Sequence, residues 1–163
     1  MLPTVTFFFL LCLSVLLLFT LKRLKAWFTS IELLLAVMFA SYLCQTVFYT
    51  LSSPYERLSV VEQHFPFWTV RLQYGVVLAI TLMWVMACFR SRASLVHKLN
   101  CAFGWVLFVV LCEKALLMAG VLESQAASWY PSLDMTAYML VVILMLSFTD
   151  WLRRILLKEG LMR

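Results

Sequence analysis

The sequence predicts an all-α fold, a polytopic membrane protein built as a bundle of five transmembrane helices. Its 163 residues are 64% hydrophobic and only 13% charged, whereas about a quarter of the residues in a soluble domain are charged. The apolar residues also fall into five long runs separated by short polar stretches. Helices are the expected form of these runs because backbone polar groups in a bilayer core must be hydrogen-bonded within their own segment.

Each run is long enough to cross a hydrocarbon core about 30 Å thick, which takes about 20 helical residues. The predicted spans cover residues 3–21, 27–51, 69–89, 99–122 and 134–152. The stretches between them are too short for a soluble domain, so residues 1–163 are predicted to form a single membrane domain. No basic residue precedes the first run, and we therefore expect a retained span instead of a cleaved signal peptide.

The basic residues indicate the orientation of the bundle. Ten of the 13 fall between the first and second spans, between the third and fourth, or after the fifth. These ten are Lys22, Arg23, Lys25, Arg90, Arg92, Lys98, Arg153, Arg154, Lys158 and Arg163. Loops rich in lysine and arginine stay in the cytoplasm, so the N-terminus is predicted outside and the C-terminus in the cytoplasm.

The loop between the second and third spans carries a helix-start signal. The segment Ser53-Pro54-Tyr55-Glu56 matches a capping box with proline at the first helical position. Apolar residues then recur at a spacing of three, and Pro66 would stop the helix. We expect an amphipathic helix over about 54–64 on the outer leaflet. It would serve as a lid or docking surface, or would only connect the two spans.

The fourth run contains two adjacent charged residues, Glu113 and Lys114. With the span ending near residue 122, they lie about 12–14 Å below the outer surface at a rise of about 1.5 Å per residue. A charged side chain at the centre of a membrane helix costs at least about 2.5–3.5 kcal/mol and therefore needs a partner. Tyr42 and Gln45 of the second run lie at matching depth. We hypothesise a buried polar site in which Glu113 is hydrogen-bonded to Tyr42 or Gln45.

Three roles are open to this candidate site: a polar clamp between helices, a contact with a partner protein, or a step in transport. A proton or ion relay normally needs a chain of polar groups. The sequence offers a single such position, which favours the clamp.

A second candidate site lies on the predicted outer face. His64, Arg71 and Tyr74 fall just before or within the first turns of the third span. Together they could bind a ligand from outside. Arg71 could instead extend to lipid headgroups, as long basic side chains near helix ends commonly do.

No sequence motif points to catalysis. The chain contains no glycine-rich phosphate loop, no G-x-S-x-G and no H-E-x-x-H. His64 and His97 are predicted on opposite sides of the membrane and so cannot share a metal ion. The five cysteines lie in or beside apolar runs, as small packing residues do. We therefore expect no catalytic residue, no metal, no cofactor and no nucleic-acid partner.

A pattern of spaced residues extends from the fourth run to the end of the chain. It consists of Glu113 in the fourth run, Gly120 near its end, Trp129 in the following loop, Tyr138 in the fifth run, and Trp151 before a basic tail. In this pattern, which covers about a third of the chain, the sequence resembles a family of small uncharacterised multi-spanning proteins of endospore-forming Firmicutes. The resemblance implies an integral multi-pass protein of the plasma membrane with similar topology, and it implies no reaction.

The expected function is non-enzymatic. We expect a small subunit, assembly factor or regulator that lies in the lipid bilayer and contacts another membrane protein, or a second copy of itself, through its helices. The alternative is a small carrier or transport-system subunit whose buried polar site is Glu113 and Lys114 with Gln45 and Tyr42.

Overall fold

The computed structural model describes residues 2–52, 58–61, 64–123 and 131–159. These residues form five long helices, each long and apolar enough to cross a membrane. The helices are α1 (Leu2–Leu24), α2 (Ser30–Ser52), α3 (His64–Arg90), α4 (Leu95–Met118) and α5 (Pro131–Lys158). The predicted class, a helical protein with five candidate membrane spans, is confirmed. The orientation stays a prediction.

Helix α3 occupies the middle of the bundle. It is the most buried of the five helices, and it packs against α1, α2 and α4, while α5 packs against α2 and α4. Ala36, Ala40 and Cys44 on α2, and Ala79 on α3, are fully buried. Side chains this small allow membrane helices to approach closely, which strengthens van der Waals packing where lipid supplies no hydrophobic driving force.

Helix α4 ends earlier than the sequence predicted, at Met118. Gly120 has a φ of 65°, a left-handed conformation that costs other residues about 1–2 kcal/mol. The Gly120 N–H donates to the Leu117 carbonyl (3.1 Å), and the Val121 N–H donates to the Leu116 carbonyl (3.0 Å). These two bonds form a Schellman motif, which satisfies the last carbonyl groups of the helix and turns the chain away from its axis.

A short antiparallel strand pair follows this turn. Strand β1 (Ser59–Val60) pairs with β2 (Leu122–Glu123), with Ser59 opposite Glu123 and Val60 opposite Leu122. The two strands lie at what we call the strand end of the bundle, where α2 and α4 end and α3 and α5 begin. The opposite end, where α1, α3 and α5 end, is called the basic end because nine of the ten basic residues grouped above lie there in the described chain.

The amphipathic helix predicted over 54–64 is wrong within the described part of that stretch. Residues 53–57 and 62–63 lie outside the described residues, Leu58 and Val61 are not helical, and Ser59–Val60 are extended. β-Branched valine favours a strand, and β2 supplies backbone partners that a helix on the leaflet would not have. His64 is the first residue of α3 instead of the last of a surface helix.

An ion pair joins α2 to α3 at the basic end. The Arg90 guanidinium pairs with the Glu32 carboxylate, which is fully buried, and Arg90 Nη1 also donates to the Trp27 carbonyl (2.9 Å). The guanidinium carbon lies 4.0 Å from the centre of the Phe28 ring, within the range of a cation–π contact. Arg90 therefore holds the start of α2 and the segment before it against the end of α3.

We expect Arg90→Met to destabilise the protein strongly, because it leaves the buried Glu32 carboxylate without its counter-charge. Breaking a buried pair on one side typically costs about 3–5 kcal/mol. The free energy of unfolding in mixed micelles measures the loss, with Arg92→Met as the matched control of equal charge change. Equal stability of the two variants would show that the pair is not a structural clamp.

Candidate functional site

Four buried polar side chains from three helices meet in the half of the bundle nearest the strand end. They are Tyr74 of α3, Glu113 of α4, and Asp134 and Tyr138 of α5, and each is no more than 2% exposed. The Tyr74 and Tyr138 side chains lie close to each other, and both lie within electrostatic range of Glu113 and Asp134. We call these four residues the tyrosine–carboxylate cluster.

Aromatic contacts fix both tyrosine rings. The Tyr74 ring stacks on Phe48 of α2 with 4.2 Å between centroids, and the Tyr138 ring meets Trp105 of α4 edge to face at 6.1 Å. Trp105 is itself held, because its Nε1 donates to Thr81 Oγ1 at 3.0 Å. With the rings packed against apolar neighbours, the hydroxyl groups are the parts free to meet the buried carboxyl groups.

Two members of the cluster come from one face of α5. Asp134 and Tyr138 are four residues apart, so they are stacked one turn above the other. Asp134 also lies in the first turn of α5, where the helix dipole favours a negative charge. Asp134 was not predicted as a site residue because the predicted fifth span begins there. The signal that could have found it is an acidic residue one turn before a tyrosine in an apolar run.

A π-helical turn, Gln73–Val77, positions the α3 side of the cluster. This wider turn interrupts α3 where it crosses the bundle, and such turns are frequent at functional sites. Gln73 and Tyr74 face the interior, whereas Gly75 lies against α2. The turn thus presents one side of α3 to the buried cluster and the other side to the surface of α2.

The first predicted site is not assembled as the sequence suggested. Glu113 is buried as expected, and both it and Lys114 have interaction partners. Tyr42, however, is 64% exposed on the outside of α2, and Gln45 is hydrogen-bonded to Arg71 and Ser41. Matching depth alone did not identify the right neighbours, because Tyr42 and Gln45 point away from α4.

The predicted depth of Glu113 and Lys114 also needs correction. Because α4 ends at Met118 and not near residue 122, the pair lies about 6–8 Å from the helix end at about 1.5 Å per residue. Lys114 is exposed on α4. At this shallower depth a lysine side chain can reach the interface.

The second predicted site is also divided. His64 and Arg71 are exposed on α3, but Tyr74 is 1% exposed and belongs to the buried cluster. Tyr74 is three positions after Arg71, and the π-helical turn that begins at Gln73 directs the tyrosine inward. Arg71 instead joins a different set of side chains, on α2.

A polar groove runs along the outside of the bundle between α2 and α3. We call it the α2–α3 groove, and it contains six hydroxyl or amide side chains within the apolar length of α2, together with Arg71. The lining polar residues are Ser41, Tyr42, Gln45, Thr46, Tyr49, Thr50 and Arg71. The groove faces the side that lipid or another helix would occupy.

Arg71 is held in one orientation in this groove. Its Nη1 donates to Gln45 Oε1 at 3.0 Å, and the guanidinium carbon lies 5.5 Å from the Tyr49 ring centre and 5.3 Å from that of Phe67. Gly75 makes room for this arrangement, since a Cβ atom there would lie 2.7 Å from Gln45 Nε2. Any larger residue at 75 would displace the Gln45 amide from Arg71.

Comparison with protein-family models, with curated proteins and with solved structures finds no significant match. The function of the chain is therefore inferred from its own side chains.

We expect Tyr138→Phe to lower the free energy of unfolding by about 1–3 kcal/mol, because the lost hydroxyl leaves buried polar groups of the cluster without a partner. Tyr42→Phe removes the same atom from an exposed position, and a change within about 0.5 kcal/mol is expected there. Unfolding in mixed micelles measures both. If the two variants are equally stable, the cluster does not hold the helices together.

Proposed function

We propose that the protein is a non-enzymatic integral membrane subunit, assembly factor or regulator. It works by binding a transmembrane helix of another membrane protein in the α2–α3 groove. The occupant that fits is a helix with a carboxylate or amide side chain facing Arg71. A planar guanidinium binds a carboxylate through two parallel hydrogen bonds, which gives both strength and orientation.

The observation that carries this proposal is the polarity of the groove. Tyr42, Thr46 and Thr50 repeat at a spacing of four on α2 and are all exposed, so they form a polar stripe on a membrane-length helix. Hydrocarbon chains offer such groups no hydrogen bond, whereas side chains of a neighbouring helix do. A polar stripe on an outer face therefore indicates a protein neighbour.

The depth of the groove favours a helix over a lipid headgroup. Tyr42 lies about 15 Å from the end of α2 at Ser52, at about 1.5 Å per residue. This is about half the thickness of a hydrocarbon core, well below the level at which headgroups lie. A helix can present polar side chains at every level from Thr50 to Ser41.

Arg71 is prepared for binding before a partner arrives. Gln45 and the two aromatic rings restrict its side chain, so little additional ordering is needed when it meets an acceptor. Preorganisation of this kind increases affinity by reducing the entropy lost on association. The tyrosine–carboxylate cluster lies behind the groove and keeps α3 in register with α4 and α5.

The proposed location is the plasma membrane, with the N-terminus outside and the C-terminus in the cytoplasm. The excess of lysine and arginine in three alternate polar segments supports this orientation through the positive-inside rule. In this orientation the Arg71 end of the groove opens toward the outer leaflet.

A small-molecule carrier is the second candidate, and one observation favours it. A crevice of about 350 Å³ lies between α1, α3 and α4, with apolar walls that include Phe9, Leu10 and Phe108. Gln73 lines this crevice, and among the described residues its buried Nε2 has only the Cys112 thiol, a weak acceptor, beside it. An apolar molecule with one acceptor would fit there, although this site is not the Glu113–Lys114 site that the sequence suggested for a carrier.

Gentle detergent extraction from native membranes, followed by native mass spectrometry, tests the proposal. We expect a defined complex with a second membrane protein, and we expect Arg71→Met to reduce its yield at least about tenfold. Losing a hydrogen-bonded charge contact costs about 2–5 kcal/mol of binding free energy, which corresponds to more than a tenfold loss of affinity. Gly75→Ala should weaken the complex in the same direction, because the added Cβ displaces Gln45 from Arg71.

Arg92→Met is the control, because it removes the same charge at the basic end. A complex that survives Arg71→Met and Gly75→Ala unchanged would contradict binding in the α2–α3 groove. A monomer that releases one small molecule per chain would support the carrier instead. A homodimer that depends on Arg71 would identify the partner helix as a second copy.

A further inference from the structure

We propose that Cys88, His97 and Cys101 form a binding site for a single Zn²⁺ ion at the basic end of the bundle. The proposal is independent of the α2–α3 groove, which lies in the other half of the molecule. It concerns three side chains that the sequence places apart and that the turn between α3 and α4 brings together.

The local structure of this turn positions the three ligands. Cys88 lies in the last turn of α3, and the Ser91 hydroxyl donates to its carbonyl at 2.7 Å. Ser94 caps α4, its Oγ accepting from the His97 backbone N–H at 3.3 Å. His97 and Cys101 are four residues apart, so both occupy the face of α4 that begins beside the end of α3.

The ligand atoms are spaced as a metal site requires. Cys88 Sγ lies 3.1 Å from Cys101 Sγ, Cys101 Sγ lies 3.7 Å from His97 Nε2, and all three atoms are within 4.8 Å of one another. Tetrahedral zinc with Zn–S near 2.3 Å and Zn–N near 2.0–2.1 Å gives S···S and S···N edges of about 3.5–3.8 Å. The distance from Cys101 Sγ to His97 Nε2 already matches, and the two sulfur atoms need to separate by about 0.7 Å.

The donor set selects the class of metal. Two thiolates and one imidazole suit Zn²⁺, whereas hard ions such as Mg²⁺ and Ca²⁺ prefer oxygen ligands. Two thiolates also cancel the charge of Zn²⁺, so the loaded site is neutral beside the apolar interior. The fourth coordination position would be completed by water, as in zinc sites with three protein ligands.

The ion can reach the site from water. His97 is exposed, and Cys88 and Cys101 are half-buried at the end of the helices. The predicted orientation places this end in the cytoplasm, where glutathione keeps thiols reduced. Reduced thiols favour metal binding over a disulfide between the two cysteines, and a disulfide would leave no role for His97.

Cobalt serves as the spectroscopic probe for the test. The full-length protein is purified in detergent under reducing conditions, the reductant is removed without oxygen, and Co²⁺ is titrated in. We expect one Co²⁺ per chain, a thiolate-to-cobalt charge-transfer band and the d–d bands of tetrahedral cobalt, all lost on adding Zn²⁺. His97→Ala and Cys101→Ser should each weaken binding at least about 100-fold, since even outer-shell changes cost about 10–100-fold.

Cys12→Ser is the matched control, because Cys12 is an exposed cysteine on α1 outside the cluster. It should bind Co²⁺ as the unaltered protein does. Since His97 is exposed, His97→Ala provides a test even where a cysteine variant fails to fold. The proposal is overturned if the unaltered protein shows no charge-transfer band, or if His97→Ala binds equally well. A Cys88–Cys101 disulfide in protein whose thiols were blocked at cell lysis would also overturn it.

Discussion

Two buried carboxyl groups, Glu113 and Asp134, impose the constraint on which the half of the bundle nearest the strand end depends. A charged group inside a membrane helix costs several kcal/mol unless other polar groups meet it. Both are nearly inaccessible to solvent, and both lie within electrostatic range of Tyr74 and Tyr138. Since the four side chains come from α3, α4 and α5, these helices cannot slide or rotate independently without exposing polar atoms to hydrocarbon. The cluster thereby fixes the position of α3, and α3 carries the residue that gives the α2–α3 groove its charge.

Different side-chain contacts join α2 to α3 at the two ends of the bundle. At the basic end, Arg90 holds the buried Glu32 and the segment before α2, so α2 and α3 are joined there by an ion pair. At the strand end they are joined by the Arg71–Gln45 hydrogen bond and the Phe48–Tyr74 ring stack. Between these ends the contacts are made by small apolar residues. They bring α2 and α3 close together but do little to favour one register of the two helices over the next. The polar contacts therefore select the register, and the groove has a defined shape.

The sequence was sufficient for the fold class and insufficient for side-chain neighbours. Length and hydropathy predicted five helices because a bilayer core demands about 20 apolar residues from each. The depth of a residue along its helix could be counted from the sequence, but the direction in which its side chain points around the helix could not. Tyr42 was therefore paired with Glu113, although Tyr42 faces outward. The depth itself was overestimated because the left-handed Gly120 ends α4 early, which hydropathy does not register. The cluster of Cys88, His97 and Cys101 was missed because its members lie on two helices and match no short metal motif.

The most direct test of the central claim is photo-crosslinking in native membranes from position 42. A photoreactive phenylalanine analogue replaces Tyr42 conservatively, and the same analogue at the exposed Leu107 of α4 is the control. Binding of a partner helix in the groove predicts a protein adduct of one defined mass from position 42, absent from position 107 and lost when Arg71→Met is added. Adducts to lipid alone from both positions would contradict the claim, and so would a protein adduct that forms equally well when Arg71→Met is added.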